Sequence, residues 1–440
     1  MNIATTTAIA AIAGLATAAA ASVPVTKLFQ EGDAIAGSTV SSVNAAFTSG
    51  NGTVGTVGIL DDGRRFVWVN NGVDYTTDLF PENITGAESS IGIANDGTWA
   101  ASFSLPFSGT SGTDDSWFHS SNQTIAREFD PFPFIPNQIV GFASRPSMDD
   151  TGTAYTVAGY REDDGSNSGS DGRAFLRSTN PGAANPTYDV IYQSFEVIDG
   201  FTVGNGGVDF THDVSGNGNH LITEIVFNDT PTTQDDNMVY LIDLNNGAKT
   251  RLGRENDPTG NGDNFDNWDG VKVNNNGDYL IHGDTNGASA ADEFITVNGN
   301  FVYNEGDLID GLAMEAVDAA DIDDNGRMVA VFDVGTSSSD EALVFGSDAA
   351  DNSTWEVILR VGDSLDFDND GMGDGTLLDF NISGTINPFE IGNTDIVWLE
   401  VDYEDLNGAE FEALIGVTIP APASAAFLAL AGLATTRRRR

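Results

Sequence analysis

The chain has 440 residues, 66 acidic against 18 basic, a formal net charge of −48 and no cysteine. A field of that sign repels nucleic acid and anionic lipid, which excludes DNA binding and charge-driven attachment to a membrane surface. Without thiols there are no disulfides, zinc-thiolate centres or cysteine nucleophile, and 50 glycines with few apolar runs at helical spacing argue against a helical body.

In chain order, Ala8 to Ala21 is an Ala-rich apolar run followed by Ser22-Val23-Pro24. That is the pattern of a secretory signal peptide with a small-residue cleavage site, so residues 1–21 are expected to act in export. Residues 22–417 are then expected to form a repeat domain. Lys27-Leu-Phe-Gln-Glu-Gly32-Asp33-Ala-Ile35, Phe301-Val-Tyr-Asn-Glu-Gly306-Asp307-Leu-Ile309 and Val357-Ile-Leu-Arg-Val-Gly362-Asp363-Ser-Leu365 align without gaps. Each reads as a short strand ending in a Gly-Asp turn.

A second element is an Asn/Asp/Gly turn that launches an alternating strand, as at Asn95-Asp96-Gly97, Asp149 to Gly152, Ser215 to Gly218, Asn274 to Gly277 and Asp323 to Gly326, with weaker copies around Gly52 and Gly392. These residue types accept the left-handed backbone of a tight hairpin. A third element is Glu341-Ala-Leu-Val344, repeated as Glu412-Ala-Leu-Ile415. Gly306 and Gly362 are 56 residues apart, and the 274 residues from Gly32 to Gly306 divide into five units of similar length. Seven units result, matching the seven turn copies.

Repeats of this length, with three or four strands each, predict an all-β fold: a seven-bladed β-propeller whose first and last strands complete one blade. Six or eight blades, or tandem β-sandwiches, are the alternatives. The turn-plus-strand unit also resembles the NxxGxxAF tandem repeats of exported proteins with sorting tails, with Asp323-x-x-Gly326-x-x-Val329-Ala330 among the better copies. That resemblance implies an exported repeat protein and brings no catalytic residues.

Candidate chemistry is sparse. The irregular spans 106–145, 161–187 and 255–270 are insertions, and Asp257, Asp263, Asp266 and Asp269 in the last show no ligand spacing. The sharpest motif is Asp366-Phe-Asp368-Asn-Asp370-Gly371-Met372-Gly-Asp374. Oxygen ligands at alternating positions around a glycine bend suit a hard cation, so Asp366, Asp368, Asp370, Met372 through its carbonyl, and Asp374 are the expected calcium ligands. Leu377 stands where the bidentate glutamate of such a loop would be, which predicts weak binding. Asp321-x-Asp323-x-Asn325-Gly326 has similar spacing but reads as a repeat turn. There is no Gly-x-Ser-x-Gly elbow, and His119, His212, His220 and His282 make no helical metal-binding pair.

The end of the chain is Ile419-Pro420-Ala421-Pro422-Ala423-Ser424, an apolar run from Ala425 to Ala434, and Arg437 to Arg440. The apolar run is shorter than the ~20 residues a spanning helix needs, and the arginines favour the cytoplasmic face. The three-part order resembles the PEP-CTERM sorting tail, with Ala421 in place of its usual glutamate. It implies a helical sorting or weak anchoring segment over 418–440, an exosortase-type processing enzyme as partner, and delivery to the bacterial cell surface or beyond. Together these features favour a non-enzymatic scaffold or binding platform for polysaccharide or another envelope component. The alternative is a secreted carbohydrate-active hydrolase or lyase with carboxylates at the mouth of the ring.

Overall fold

The computed structural model describes residues 22–420 apart from 36, 70–71, 77–85, 107–112, 164–169, 231–234, 261, 290, 336 and 383–390. The expected signal segment 1–21 and the tail from 421 onward lie outside the described residues, as do parts of the insertions 106–145 and 161–187. Among the described residues there are six open antiparallel sheets and a seventh that joins the two ends of the fold. The inner long strands of the open sheets are Ser38–Val43, Gly86–Ile93, Gln138–Met148, Phe201–Val214, Phe265–Val273 and Leu312–Ile322. The closing sheet contains Gly375–Asp379, Ile396–Asp405 and Glu410–Thr418, and takes Val23–Gln30 as its last strand. Val25 pairs with Val417 and Gln30 with Ala413, so the first strand of the fold completes the last sheet, as the sequence predicts. No described residue forms an α-helix, and the fold is an all-β propeller.

The blades stack face to face, and this explains why their strands read as nearly continuous apolar runs. Along Met328–Val334, Met328, Ala330 and Phe332 join a core shared with the preceding blade through Leu280, Ile295 and Tyr303. Val329 and Val331 point the other way, into a core with Val397, Leu399, Val401 and Ile415 of the closing sheet. Period-two alternation with both faces buried leaves no polar face on such a strand. Each large side chain buried this way contributes roughly 1.5–3 kcal/mol of transfer free energy.

The Gly-Asp element is the bend from the outer strand of one blade to the inner strand of the next. Gly306, at φ 86°, donates its N–H to Met314 O, Met314 N returns a bond to Asp307 O, and the Asp307 carboxylate accepts from Asn304 N. Gly32-Asp33 and Gly362-Asp363 make the same set with Val40 and Leu377. Three further copies carry other residues at the left-handed position: Phe129 (φ 71°), Phe195 (φ 68°) and Asn256 (φ 66°). Their N–H groups bond Val140 O, Val203 O and Phe265 O in the same way.

The Glu-Ala-Leu element is a clamp between blades. The Glu412 carboxylate accepts from Val43 N at 2.9 Å and Glu341 from Phe380 N at 3.2 Å, each on the first strand or connection of the following blade. Glu293, in Glu-Phe-Ile-Thr, reaches Val317 N at 3.4 Å. Arg173, in Arg-Ala-Phe-Leu, does the converse, donating to Gly206 O and Val208 O. The third repeat element therefore commits its carboxyl oxygens or guanidinium to main-chain groups left open by bulges in the inner strands.

One detail refines an expected boundary. Thr418 still pairs with Ile396, and Ile419 is 3% exposed and donates to Asp395 O, so the folded unit runs two residues past the expected limit at 417. At the axis, a Cβ on Gly92 would lie 2.2 Å from Met148 N and from Ser147 C. Gly92→Ala is expected to force two inner strands apart and cost about 1–3 kcal/mol. A denaturant midpoint unchanged from Gly141→Ala, where the added carbon meets only ordinary contacts, would refute this.

Candidate functional site

Seven turns, one from each sheet, meet around the axis in a closed hydrogen-bonded circuit. Asn51 N donates to Asn95 Oδ1 and Asn51 Nδ2 to Asn95 O, both at 2.9 Å. Asn95 N then donates to Asp150 O, and Asp150 N to Gly216 O at 2.7 Å. Asn217 N donates to Asn275 Oδ1, Asn275 N to Asp324 Oδ1 at 2.7 Å, and Asp324 N to Asn393 Oδ1 at 3.1 Å. Asn393 N returns to Gly50 O at 2.9 Å and closes the ring. The Asn/Asp/Gly turns are thus more than hairpin chemistry. Their short amide and carboxylate side chains tie each turn to the next around the axis.

Inside this belt lies a cavity of about 120 Å³, and one of about 110 Å³ adjoins it along the axis; Phe47, Ile91, Ser147, Asp213 and Lys272 line both. The lining is acidic, with Lys272 set among Asp150, Asp213, Asp321, Asp323 and Asp324. Lys272 Nζ is 3.5 Å from Asp213 Oδ1, while Asp213 Oδ2 accepts from Val273 N. Asp321, 8% exposed, accepts from Ile391 N at 2.7 Å, and burial pushes it up to about 6 against the pull of the Lys272 ammonium. Burial likewise raises Asp213, and the same ammonium opposes it. Farther along, the Arg145 and Arg173 guanidinium groups lie 4.9 and 4.6 Å from the Phe210 ring centroid. Burial first and Arg145 second push His212 down to about 3, and burial holds His282 near 4, so both are neutral packed rings at pH 7.

The expected calcium loop is well formed. It follows the short strand Ser364–Asp366, and its carboxylates organise their own backbone: Asp366 Oδ2 accepts from Gly371 N, Asp368 Oδ1 from Asp370 N, Asp370 Oδ1 from Met372 N and Asp374 Oδ2 from Phe367 N. Ligand atoms of Asp366, Asp368 and Asp374 lie within 4.8 Å of one another, close enough to share one cation. Asp370 is outside that group and caps the turn, and Met372 is 69% exposed. Asp366 is 3% exposed and its Oδ1 has no hydrogen-bond partner. A buried carboxylate oxygen without a donor is costly, and a cation would satisfy it.

Asp321-x-Asp323-x-Asn325-Gly326 is a turn, as its repeat context predicts. The Asp323 carboxylate caps Asn325 N and Arg327 N and pairs with Arg327 Nε at 2.7 Å. Two acidic groups were not visible in the sequence. Asp269, Asp284 and Glu293 come together, as do Asp318, Asp333 and Glu341. Each draws its members from three successive strands of one blade, so no linear spacing reports it.

No protein-family model and no curated protein matches this chain. Solved structures similar to it include prolyl oligopeptidase B from Galerina marginata, with 11% identity and TM-score 0.45 over 84% of this chain and 50% of that one. The chain therefore spans about half the length of that enzyme. The alpha-L-arabinofuranosidase arb93a from Fusarium graminearum has 12% identity and TM-score 0.37, covering 74% and 91% of the two chains. Polysaccharide lyase Uly1 has 9% identity and TM-score 0.34, covering 78% and 92%. Likenesses of this strength concern chain path, and the chemistry must come from the residues themselves.

By strand alternation, the described parts of the insertions leave the sheets at both ends of the ring: the loop 179–188, between Gly172–Ser178 and Asp189–Gln193, lies at the belt end, and others lie at the opposite end. Those at the opposite end include 128–137 between two blades, 163 and 170–171 within one blade, and 255–260 and 262–264 between two others. Glu128 there is 9% exposed and paired with Arg161 at 3.2 Å.

Proposed function

We propose that the protein is an exported, non-catalytic scaffold or binding platform of the bacterial surface or extracellular matrix, that its tail is handled by an exosortase-type enzyme, and that its Asp366–Asp374 loop holds calcium. The observation that carries the scaffold reading is how the polar groups near the axis are used. The turn side chains are consumed in the belt, Lys272 is held against Asp213, and the repeat glutamates clamp neighbouring blades. Groups committed to such bonds serve rigidity, and a rigid ring carrying surface loops suits the display of a binding face. Polysaccharide is the ligand class favoured for that face.

The test is incubation of the purified chain with extracellular polysaccharides in calcium. Retention of the polymer with no new reducing or unsaturated ends supports a platform. Release of oligosaccharides would overturn it and favour the carbohydrate-active hydrolase or lyase.

A further inference from the structure

The cation loop sits on the seam where the ring closes. Its leading strand pairs in parallel with the first residues of the fold, Val23 with Leu365 and Pro24 with Asp366. The same N-terminal strand pairs on its other edge with Glu410–Thr418. Phe367, between two of the loop carboxylates in sequence, packs its ring 4.2 Å from Lys27 Nζ, which also donates to Tyr403 OH at 3.2 Å. Val23 and Phe367 both pack against the core that contains Val25 and Leu365. The loop and the N-terminal strand are thus one packing unit, and that unit contains the buried, unpartnered Oδ1 of Asp366.

We infer that a divalent cation of calcium's kind, bound by Asp366, Asp368 and Asp374, locks the N-terminal strand Val23–Gln30 into the closing blade, so that ring closure depends on the cation. The inference rests on the calcium reading above. Both edges of Val23–Gln30 are paired, but the parallel edge holds by only two register pairs, Val23 with Leu365 and Pro24 with Asp366, so this strand is expected to open from that edge first. An uncompensated buried carboxylate at that edge works against the strand's docking, and a ligand that binds only the docked loop stabilises that state in proportion to its occupancy.

Hydrogen exchange on the full chain, alongside calorimetric calcium titration, tests this. At calcium one hundred times its Kd, exchange of amides in Val23–Gln30 should slow roughly 100-fold relative to chelator, while Ala154–Glu162 in another blade stays unchanged. Asp368→Asn removes an exposed ligand and should shift the required calcium upward about tenfold, consistent with the loss of ~1.4 kcal/mol. Asp366→Asn removes the buried charge, so exchange in the strand should become insensitive to calcium. If calcium binds with heat and the strand's exchange does not move, the lock is wrong and the calcium loop stands. If no calcium binds, the calcium reading falls and the lock with it.

Discussion

Replacing Arg327 with alanine should lower stability by about 3–5 kcal/mol, the cost of leaving a buried carboxylate without its ion partner. Arg327 Nε donates to Asp323 Oδ2 at 2.7 Å, Nη1 to Asp395 Oδ1 at 2.8 Å and Nη2 to Thr394 O at 2.8 Å. The guanidinium therefore ties one belt turn to the next. Its two ion pairs differ in weight. The Asp395 side chain is 80% exposed, and such a surface pair contributes at most ~1 kcal/mol, whereas the Asp323 side chain is 0% exposed. Asp395→Ala should accordingly shift a urea midpoint little, and Arg327→Lys should recover only part of the loss because an ammonium cannot reproduce the planar fork. Equal midpoints for Arg327→Ala and Asp395→Ala would show that Asp323 finds other compensation and that the turn is not held by this pair.

What the sequence revealed of this fold depended on whether a repeat element keeps its residue type. The Gly-Asp bend was legible at Gly32, Gly306 and Gly362, where glycine marks the left-handed position. It was hidden at Phe129, Phe195 and Asn256, where the surrounding bonds hold other residues at the same positive φ. The clamp was legible as Glu-Ala-Leu twice and hidden where Phe follows Glu293 or where Arg173 reverses the polarity by donating to carbonyls. The belt turns were all countable, because every copy needs a short amide, acid or glycine at its tip. The cation loop was the most legible site, since all its carboxylates come from one segment. The Lys272 pairing with Asp213 was not, because those residues are 59 positions apart and meet only when neighbouring blades stack.

Stability should rise as the pH falls from 8 to about 5, opposite to the behaviour of a protein whose acids are paired with bases. Burial, then the nearby Asp209, pushes Glu224 up to about 8, and burial, then Glu412 and Asp402, pushes Glu400 up to about 9. Burial raises Asp318 to about 7, with Asp333 adding to it, and Glu341 is raised by burial and by a side-chain hydrogen bond with Asp379. A carboxyl whose folded pKa lies above its unfolded value near 4 binds protons more tightly when folded. Its stabilising contribution is complete below that unfolded value and is lost as the pH climbs toward the folded one.

The exposed turn acids run the other way. Hydrogen bonds from Thr98 hold Asp96 below the usual range, and the Ala409 N–H does so for Asp405, so their contributions disappear as the pH drops below about 4. The maximum should therefore fall near pH 5. Each tenfold change in proton affinity carries about 1.4 kcal/mol, and Glu224 and Glu400, at 5% and 9% exposure, are too buried for solvent to cancel most of it. Together the buried acids should contribute on the order of 5 kcal/mol between pH 8 and pH 5.

General repulsion among 66 acids would also relax on acidification, but 1 M salt shortens the Debye length to ~3 Å and removes that contribution. Denaturation at pH 5 and pH 8 in 1 M salt with chelator isolates the buried groups. Glu224→Gln and Glu400→Gln should each be more stable than the parent at pH 8 and flatten the profile. A parent profile already flat in 1 M salt would mean that these carboxyls find water or cations in solution and titrate normally.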